Sequence, residues 1–239
     1  MVVVINEKQK LDQIAEDSWY AKGANAETIK YSAKIISRFL RKGDILELGP
    51  AEGLMTSYID KYAYSLTLVD GSSVFCDVLR RKYPHAKVIC SLFEELELEE
   101  KYDYVLLGHV LEHVENPIAI LMHIKKFLKP DGKIIAVVPN SHSVHRQAAV
   151  LMGLLEKESS LNPTDIHHGH RRVYNPAMFR EHFLTAGYQI EQFGGYWLKP
   201  VSDKQIEQTW TQEMLEAFFQ LGELYPDIAA EIYIIATVK

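Results

Sequence analysis

A short apolar strand that runs into two glycines constrains the fold of this chain more than any other feature. Residues Asp44 to Leu48 are apolar except for Asp44 itself and one carboxylate near the end, Glu47. Gly49 and Gly53 then bracket a tight turn, after which helical spacing resumes. A strand, a glycine turn and a helix form the arrangement by which α/β sheets present backbone to a nucleotide-like ligand. The stretch therefore predicts an α/β fold with a ligand at this turn.

The residues around the turn argue against a pyrophosphate ligand. A dinucleotide fingerprint needs glycine at positions 49, 51 and 54, but the chain has Ala51 and Leu54 at two of them. Glu47 and Glu52 lie beside the turn, where they would repel a phosphate and attract a cation. S-adenosylmethionine carries an ammonium and a sulfonium and has no phosphate, so its charge suits this turn.

The run Glu47-x-Gly49-x-Ala51-x-Gly53 resembles the first motif of the class I S-adenosylmethionine-dependent methyltransferases, acidic-x-Gly-x-Gly-x-Gly. The chain departs from it at Ala51, where the family usually has glycine, and we expect a slightly wider turn to accommodate the methyl group. The resemblance implies a doubly wound, seven-stranded, mostly parallel α/β sheet of order 3-2-1-4-5-7-6, with an antiparallel last strand and helical lid insertions. It also implies methyl transfer to oxygen or nitrogen of a small molecule, such as a sugar or a secondary-metabolite intermediate.

A second stretch supports the same family. Strand-like residues 102–108 lead into the sequence HVLEHV at 109–114, which resembles the Leu-Glu-His-Val signature of small-molecule methyltransferases. Open parallel sheets present functional side chains at strand ends. Glu112 and His113 are therefore predicted to face the acceptor, although a helix-start pair held by nearby backbone remains an alternative.

Asp70 ends the second predicted strand, 17 residues after Gly53. α/β nucleotide binders place there an acid that accepts both ribose hydroxyls. An acid after a strand also often caps the next helix. Because Ser72 or Ser73 could supply that cap, the ribose role is favoured.

Other cofactor contacts follow from the resemblance alone. Tyr20 matches an N-terminal tyrosine that closes the site in related enzymes, although a packed aromatic corner before a turn is the favoured interpretation of residues 18–20. The turn after the third strand would hold the adenine edge. The cofactor-binding residues predicted in addition to Glu47, Gly49, Ala51, Gly53 and Asp70 are Tyr20, Gly71, Ser91, Leu92, Phe93 and His109.

Three histidines and two arginines lie within residues 167–174. The pattern His170-x-Arg172-x-Tyr174 resembles a His-x-Arg-x-aromatic segment that many of these enzymes carry near the substrate. His170 is therefore predicted to be the general base, with His113 as its competitor, because neutral imidazole titrates near working pH. The arginines could grip a carboxylate or phosphate of the substrate, or lie on a solvated face. The predicted acceptor-binding residues are Glu112, Asn140, His142, Arg171, Arg172 and Tyr174.

No metal is predicted in this cluster. His142 and His145 could complete a site, but the spacing lacks a structural-zinc pattern and no cysteine is near. Two alternatives to the methyltransferase remain open. One is an NAD-dependent oxidoreductase, which the glycine spacing disfavours. The other is a non-catalytic protein that kept the fold and the cofactor, for which Ala51 is the hint.

Composition bounds the partners and the domain count. With 239 residues the chain fits one domain, 1–239, with N-terminal helices or a lid in 1–42 and substrate-capping insertions in 141–175 and 201–228. The net charge of −6 and the lack of a basic stripe argue against a nucleic-acid partner. The two cysteines suit a reducing cytoplasm. The apolar start, Met1 to Ile5, is too short for a signal peptide or a membrane anchor.

Helical spacing predicts the first helices over 7–20 and 26–41. Farther along, it predicts helices over 118–128 and 144–155, and one long helix over 203–224.

Overall fold

The structure is a computed structural model that describes residues 7–16 and 23–239. Its strands have the sheet order β3-β2-β1-β4-β5-β7-β6, which confirms the predicted order. The seven strands are β1 Gly43–Leu48, β2 Ala63–Asp70, β3 Lys87–Cys90, β4 Tyr102–Gly108, β5 Leu128–Pro139, β6 Tyr188–Tyr196 and β7 Glu231–Val238. β7 pairs antiparallel with both β5 and β6, as predicted for the last strand.

The helices differ from the prediction mainly at their ends. The described helices are α1 Glu7–Glu16, α2 Gly23–Ser37, α3 Thr56–Ile59, α4 Ser73–Lys82, α5 Pro117–Ile124, α6 Val144–Leu151, α7 Pro163–His167, α8 Pro176–Thr185, α9 Asp203–Thr209 and α10 Gln212–Leu224. α2, α5 and α6 thus end several residues before the predicted positions. Short 3-10 turns follow α3 and α5.

The single helix predicted over 203–224 is wrong. The structure has two helices there, separated at Trp210 and Thr211. The side chain of Thr211 accepts a hydrogen bond from the amide of Met214 and so caps the start of the second helix. Residues 129–132, whose sequence Lys-Pro-Asp-Gly is typical of a turn, lie within β5.

The described chain forms two compact units. Of the described residues, the first unit comprises 7–16, 23–108 and His123–Gly132, and the second comprises His109–Met122 and Lys133–Lys239. The prediction of one domain over 1–239 stays a prediction. Among the described helices, none combines the length and apolar character that crossing a membrane requires.

In the first unit, β1 lies between β2 and β4 and pairs parallel with both. Ile45, Leu46 and Leu48 are fully buried, which explains why this strand is apolar on both faces. The carboxyl ends of β1 and β2 are followed by the glycine turn and by α4. This arrangement positions the first group of predicted site residues.

In the second unit, β5 and β7 are fully buried over most of their paired length. Val137 pairs with Tyr233 and Val138 with Ile232. The chain that leaves β5 carries α6, α7 and α8. The second group of predicted site residues lies on these segments and on the loop that begins at His109.

Candidate active site

All three key positions of the glycine turn have left-handed backbone. Gly49, Ala51 and Gly53 have φ of 67°, 48° and 75°. Gly53 N donates to Pro50 O (2.8 Å) within the turn, and Gly49 N donates to Val69 O of β2 (2.9 Å). Ala51 thus adopts a conformation that favours glycine. The methyl group of Ala51 is therefore carried at a φ that residues with a Cβ rarely adopt, and the expected wider turn stays a prediction.

Gly53 is required by contact as well as by conformation. A Cβ on this residue would lie 2.7 Å from the ring of Tyr83. The hydroxyl of Tyr83 donates to the carbonyl of Gly53 at 2.7 Å, which brings the ring so close. The turn is therefore fastened to the end of α4.

Glu47 is buried beneath the turn, at 2% exposure. Its Oε2 accepts a hydrogen bond from the hydroxyl of Thr56 at 2.7 Å. Burial raises the pKa of Glu47 to about 7, partly offset by the Thr56 bond. A carboxyl group with this pKa ionises readily when a cation approaches.

Asp70 lies beside the same turn. Its carboxylate accepts the amide of Ser72 at 2.9 Å and the amide of Ala51 at 3.3 Å. The side chain of Ser72 caps α4 by accepting from Phe75 N, so the cap does not need Asp70. Burial raises the pKa of Asp70 to about 6. The structure thus brings Glu47, Asp70 and the turn together.

The remaining predicted cofactor residues of the first unit lie around Asp70. The amide of Ser91 donates to the Asp70 carbonyl, and the Ser91 hydroxyl to the carbonyl of Leu92. Phe93 follows at the start of a 3-10 turn. A Cβ on Gly71 would meet Leu11 of α1 at 2.5 Å. Tyr20 lies outside the described residues.

Asp12 on α1 was not anticipated from the sequence. Its Oδ1 accepts the hydroxyl of Ser72 (2.7 Å) and the amide of Ser73 (2.8 Å), at the start of α4. Nothing in the local sequence connects these residues, which are about 60 positions apart. α1 is thereby tied to the chain that follows Asp70.

In the second unit, His109 begins the Leu-Glu-His-Val loop in a strained conformation, with φ of 58°. Its Nδ1 lies 3.6 Å from Glu112 Oε1 and 3.7 Å from Glu231 Oε2. Burial disfavours the charged form of His109, but the carboxylates of Glu112 and Glu231 favour it more strongly, so the pKa of His109 is raised. Burial likewise opposes charge on Glu112, yet His109 and the neighbouring histidines lower its pKa. Burial raises the pKa of Glu231 to about 7.

His113 and His170, the two base candidates, are in contact. Their ring centroids are 4.8 Å apart in an edge-to-face arrangement. The Nδ1 of His170 lies 3.4 Å from Asp165 Oδ1. Burial lowers the pKa of His113 to about 4, so its imidazole is neutral at neutral pH. The structure therefore places both predicted bases beside Glu112.

The two arginines of the cluster bind backbone carbonyls. Arg171 Nε donates to His113 O at 2.8 Å. Arg172 donates to the carbonyls of Leu111 (3.0 Å), Val114 and Glu115 (2.8 Å). Arg171 is exposed, in keeping with the solvated-face alternative, whereas Arg172 is only partly exposed. A grip on the substrate by either arginine stays a prediction. The arginines hold the 109–115 loop.

Tyr174 and Asn140 also have structural partners. Tyr174 is fully buried, and its hydroxyl lies 3.2 Å from His182 Nδ1 and 3.4 Å from Leu111 O. The Asn140 amide nitrogen donates to the carbonyls of Asp227 and Ala229. Their predicted contact with an acceptor stays a prediction that these bonds do not support.

The last predicted acceptor residue, His142, is half exposed. Its Nδ1 lies 2.8 Å from Glu158 Oε2. Sequence reasoning missed Glu231, because a carboxylate at the start of β7 has no local motif. It also missed Asp165, whose side chain accepts the amide of Asn162, the N-cap of α7, and lies 3.4 Å from His170.

Comparison with known proteins identifies the family. A sequence model described as a methyltransferase domain matches residues 20–192. The chain belongs to this family. An O-methyltransferase of ubiquinone biosynthesis from Rickettsia bellii is 26% identical over 217 residues, covering 84% of this chain and 88% of that protein. The corresponding protein of Rickettsia canadensis is 24% identical, covering 79% and 85%.

Solved structures share the fold. The N-methyltransferase NodS from Bradyrhizobium japonicum, in complex with S-adenosyl-L-homocysteine, superimposes with a TM-score of 0.63 at 12% identity, covering 96% of each chain. The CcbJ methyltransferase from Streptomyces caelestis gives 0.63 at 15% identity, covering 98% of this chain and 99% of that one. The predicted class I methyltransferase fold is confirmed.

The chain is an S-adenosylmethionine-dependent methyltransferase. Its own residues fit that cofactor. The turn at 49–53 is open to close approach of a ligand because two of its residues are glycine. Two buried carboxyl groups with raised pKa, Glu47 and Asp70, lie next to it and suit a cationic ligand with ribose hydroxyls.

Proposed function

We propose that this methyltransferase acts on a hydroxyl oxygen of a small molecule. The observation that carries the proposal is the cluster of Glu112, His113 and His170 in the second unit. A hydroxyl is a poor nucleophile until it loses its proton, whereas a neutral amine needs no such help. Imidazoles beside a buried carboxylate supply that help. The names of the curated relatives, which are O-methyltransferases, support the same acceptor atom.

The cofactor is held by the first unit in this proposal. Asp70 accepts the ribose hydroxyls, and Glu47 with the backbone of 49–53 holds the methionyl end. Bound S-adenosylmethionine supplies a methyl group made electrophilic by its sulfonium. The other predicted contacts, at Gly71, Ser91, Leu92 and Phe93, follow from their position around Asp70.

The second unit activates the acceptor. His113 is neutral and can accept a proton, and His170 is oriented by Asp165. Arg171 and Arg172 act as positioning residues, since they hold the carbonyls of the loop that carries Glu112 and His113. The role of His109 is to set the charge of Glu112 through a contact of 3.6 Å.

The test begins with the cofactor. Calorimetric titration of the purified full chain should show binding of S-adenosylmethionine and of its demethylated product, with NAD and ATP inert. Methyl-labelled cofactor is then offered with phenols, vicinal diols and amines of similar size, and products are identified by mass spectrometry. Methyl ethers are the expected products.

Two outcomes would contradict the proposal. Methylation confined to amines would move the acceptor to nitrogen, and tight cofactor binding without transfer to any acceptor would indicate a non-catalytic protein. His170→Ala should lower turnover by ~10²–10⁴, the usual contribution of a positioned proton acceptor, with cofactor affinity retained. His85→Ala, an exposed histidine paired with Asp60, is the matched control.

A further inference from the structure

Glu112, His113 and His170 converge on one point in the second unit. One potential ligand atom from each, a carboxylate oxygen and two imidazole nitrogens, all lie within 4.8 Å of one another. Glu112 and His113 belong to the loop after β4, and His170 to the segment between α7 and α8. Two imidazoles and one carboxylate are a common ligand set of catalytic divalent metals.

Glu112 carries the second, independent observation. It is fully buried, and neither carboxylate oxygen has a hydrogen-bond donor among the described residues. His109 lies 3.6 Å away, close enough to lend charge but beyond hydrogen-bond distance. A buried carboxylate that lacks donors is strongly unfavourable unless a cation compensates it. His109 supplies charge at 3.6 Å without a hydrogen bond, whereas a metal would give Glu112 both a cation and a direct bond.

Both histidines are oriented in the manner of metal ligands. Metal-bound imidazoles are typically fixed through their second nitrogen by a backbone carbonyl or a carboxylate. A hydrogen bond joins the His113 ring to the backbone of Gly169. The Nδ1 of His170 lies 3.4 Å from Asp165, which is itself held by Arg146 at 3.1 Å. Each ring thus has a neighbouring group that can fix it, and each contributes one nitrogen to the group of ligand atoms that lie within 4.8 Å of one another.

We propose that Glu112, His113 and His170 bind one divalent d-block cation, with Zn²⁺ as the probe. In a tetrahedral zinc site, bonds of about 2.1 Å separate the ligand atoms by about 3.4 Å. The present separations of up to 4.8 Å therefore require small side-chain rotations on binding. Mg²⁺ and Ca²⁺ prefer all-oxygen sites, so the two imidazoles select against them.

Three protein ligands leave one coordination position for an acceptor oxygen. A hydroxyl bound there would lose its proton to solvent more readily, because the cation stabilises the resulting oxyanion. The oxyanion would then form the new carbon–oxygen bond as the methyl–sulfur bond of the sulfonium breaks and leaves a neutral thioether. This role rests on the proposed O-methylation. It replaces a free imidazole base by a metal as the group that activates the hydroxyl.

Calorimetry on the full chain tests the site without any activity measurement. The protein is stripped with a chelator, freed of it and titrated with ZnCl₂ and, separately, MgCl₂. We expect one Zn²⁺ per chain, bound at least 100-fold more tightly than Mg²⁺. X-ray absorption at the zinc edge should show nitrogen and oxygen neighbours. A protein without stoichiometric Zn²⁺, or with sulfur neighbours from Cys76 or Cys90, would overturn the site.

Variants locate the metal. Glu112→Gln, His113→Ala and His170→Ala should each weaken Zn²⁺ binding at least tenfold, while titration with S-adenosylmethionine and thermal unfolding verify the fold. Glu115→Gln, an exposed carboxylate on the same loop, and His85→Ala should bind Zn²⁺ like the wild type. Equal Zn²⁺ affinity in a variant that lacks all three ligands would refute the assignment.

The metal site and the proposed function can fail separately. Stripped protein should lose methyl transfer to hydroxyls and regain it with Zn²⁺, and full transfer by stripped protein would overturn the activating role. If Zn²⁺ binds at Glu112, His113 and His170 but no hydroxyl is ever methylated, the metal site stands and the proposed O-methylation fails.

Discussion

The hydroxyl of Thr56 donates to the carboxylate of Glu47 across 2.7 Å, in the interior of the first unit. Burial raises the pKa of Glu47 from about 4.5 to about 7, and the nearby Asp70 adds to the effect. Tyr83, the residue that follows α4, lies close enough to be affected by the charge of Glu47. Burial, together with the Glu47 charge, raises the pKa of Tyr83 to about 12. Glu47 therefore links the stability of this unit to pH.

The sign of that link follows from proton affinity. The folded chain holds the Glu47 proton more tightly than the unfolded chain, so its contribution is fully present below pH 4.5 and is lost as pH rises through about 7. Glu47→Gln keeps an acceptor for Thr56 and removes the titration. Between pH 5 and 8 the wild type loses the Glu47 contribution and the variant does not. The unfolding free energy of Glu47→Gln should therefore rise relative to that of the wild type by an amount on the order of 3 kcal/mol.

Urea unfolding at a series of pH values checks this expectation, with the exposed Glu99→Gln as control. A Glu47→Gln variant whose stability follows the wild type in parallel from pH 5 to 8 would mean that Glu47 is ionised throughout.

Asp70 should contribute to cofactor affinity. Asp70→Ala removes the acceptor of the ribose hydroxyls and should weaken binding of S-adenosylmethionine by roughly 1–3 kcal/mol, or about 5- to 150-fold. Asp70→Asn retains one acceptor for the amides of Ala51 and Ser72. Its affinity for S-adenosylmethionine should therefore lie between those of the wild type and Asp70→Ala. Calorimetric titration gives the affinities, and Asp77→Ala, an exposed acid on α4, is the control. Unchanged affinity in Asp70→Ala would leave Asp70 as a residue that only orders the turn.

Most of the fold was predictable because its strands are continuous apolar runs. β1 and the buried part of β5 stand out in the sequence for this reason. The ends of the helices were harder to predict from the sequence. The division of the helix predicted over 203–224 depends on Thr211 as a cap and on the packing of Trp210 against Trp197 and Phe218. The second of these is a tertiary contact that spacing does not encode.

The parts of the candidate site that lie within one short segment of the chain could be predicted from the sequence. The glycine turn and the Leu-Glu-His-Val loop are short motifs, and the structure places their polar side chains as two groups. The partners that set their charge come from distant segments, such as Glu231 for His109 and Asp165 for His170. The His-x-Arg-x-Tyr pattern also could not show that the guanidinium of Arg172 donates hydrogen bonds to backbone carbonyls.

Ala51 should be a site of stored backbone strain. A left-handed conformation costs a residue with a Cβ roughly 1–2 kcal/mol, a cost that glycine avoids. Part of that advantage is offset because glycine has more conformational entropy to lose from the unfolded state. Ala51→Gly should therefore stabilise the protein by about 0.5–1 kcal/mol. Ala63→Gly is the matched control, because Ala63 has an ordinary φ of −77° and should lose a similar amount. Equal destabilisation of both variants in urea unfolding would show that Ala51 is not strained.

Arg172 should be needed for the shape of the loop that carries Glu112 and His113. Its guanidinium donates to three carbonyls between Leu111 and Glu115, a task that the single ammonium of lysine cannot perform with the same geometry. Arg172→Lys should lower the unfolding free energy by about 1–2 kcal/mol and reduce methyl transfer.

The affinity of Arg172→Lys for S-adenosylmethionine should stay within about twofold of wild type, since the cofactor contacts are assigned to the first unit. Urea unfolding, turnover and calorimetry measure the three quantities, and Arg81→Lys, an exposed arginine of α4, is the control. Because Arg172 is assigned to the loop and not to the acceptor, its loss should act mainly on turnover. A variant with normal stability and turnover but a raised KM for the acceptor would instead place the guanidinium on the substrate.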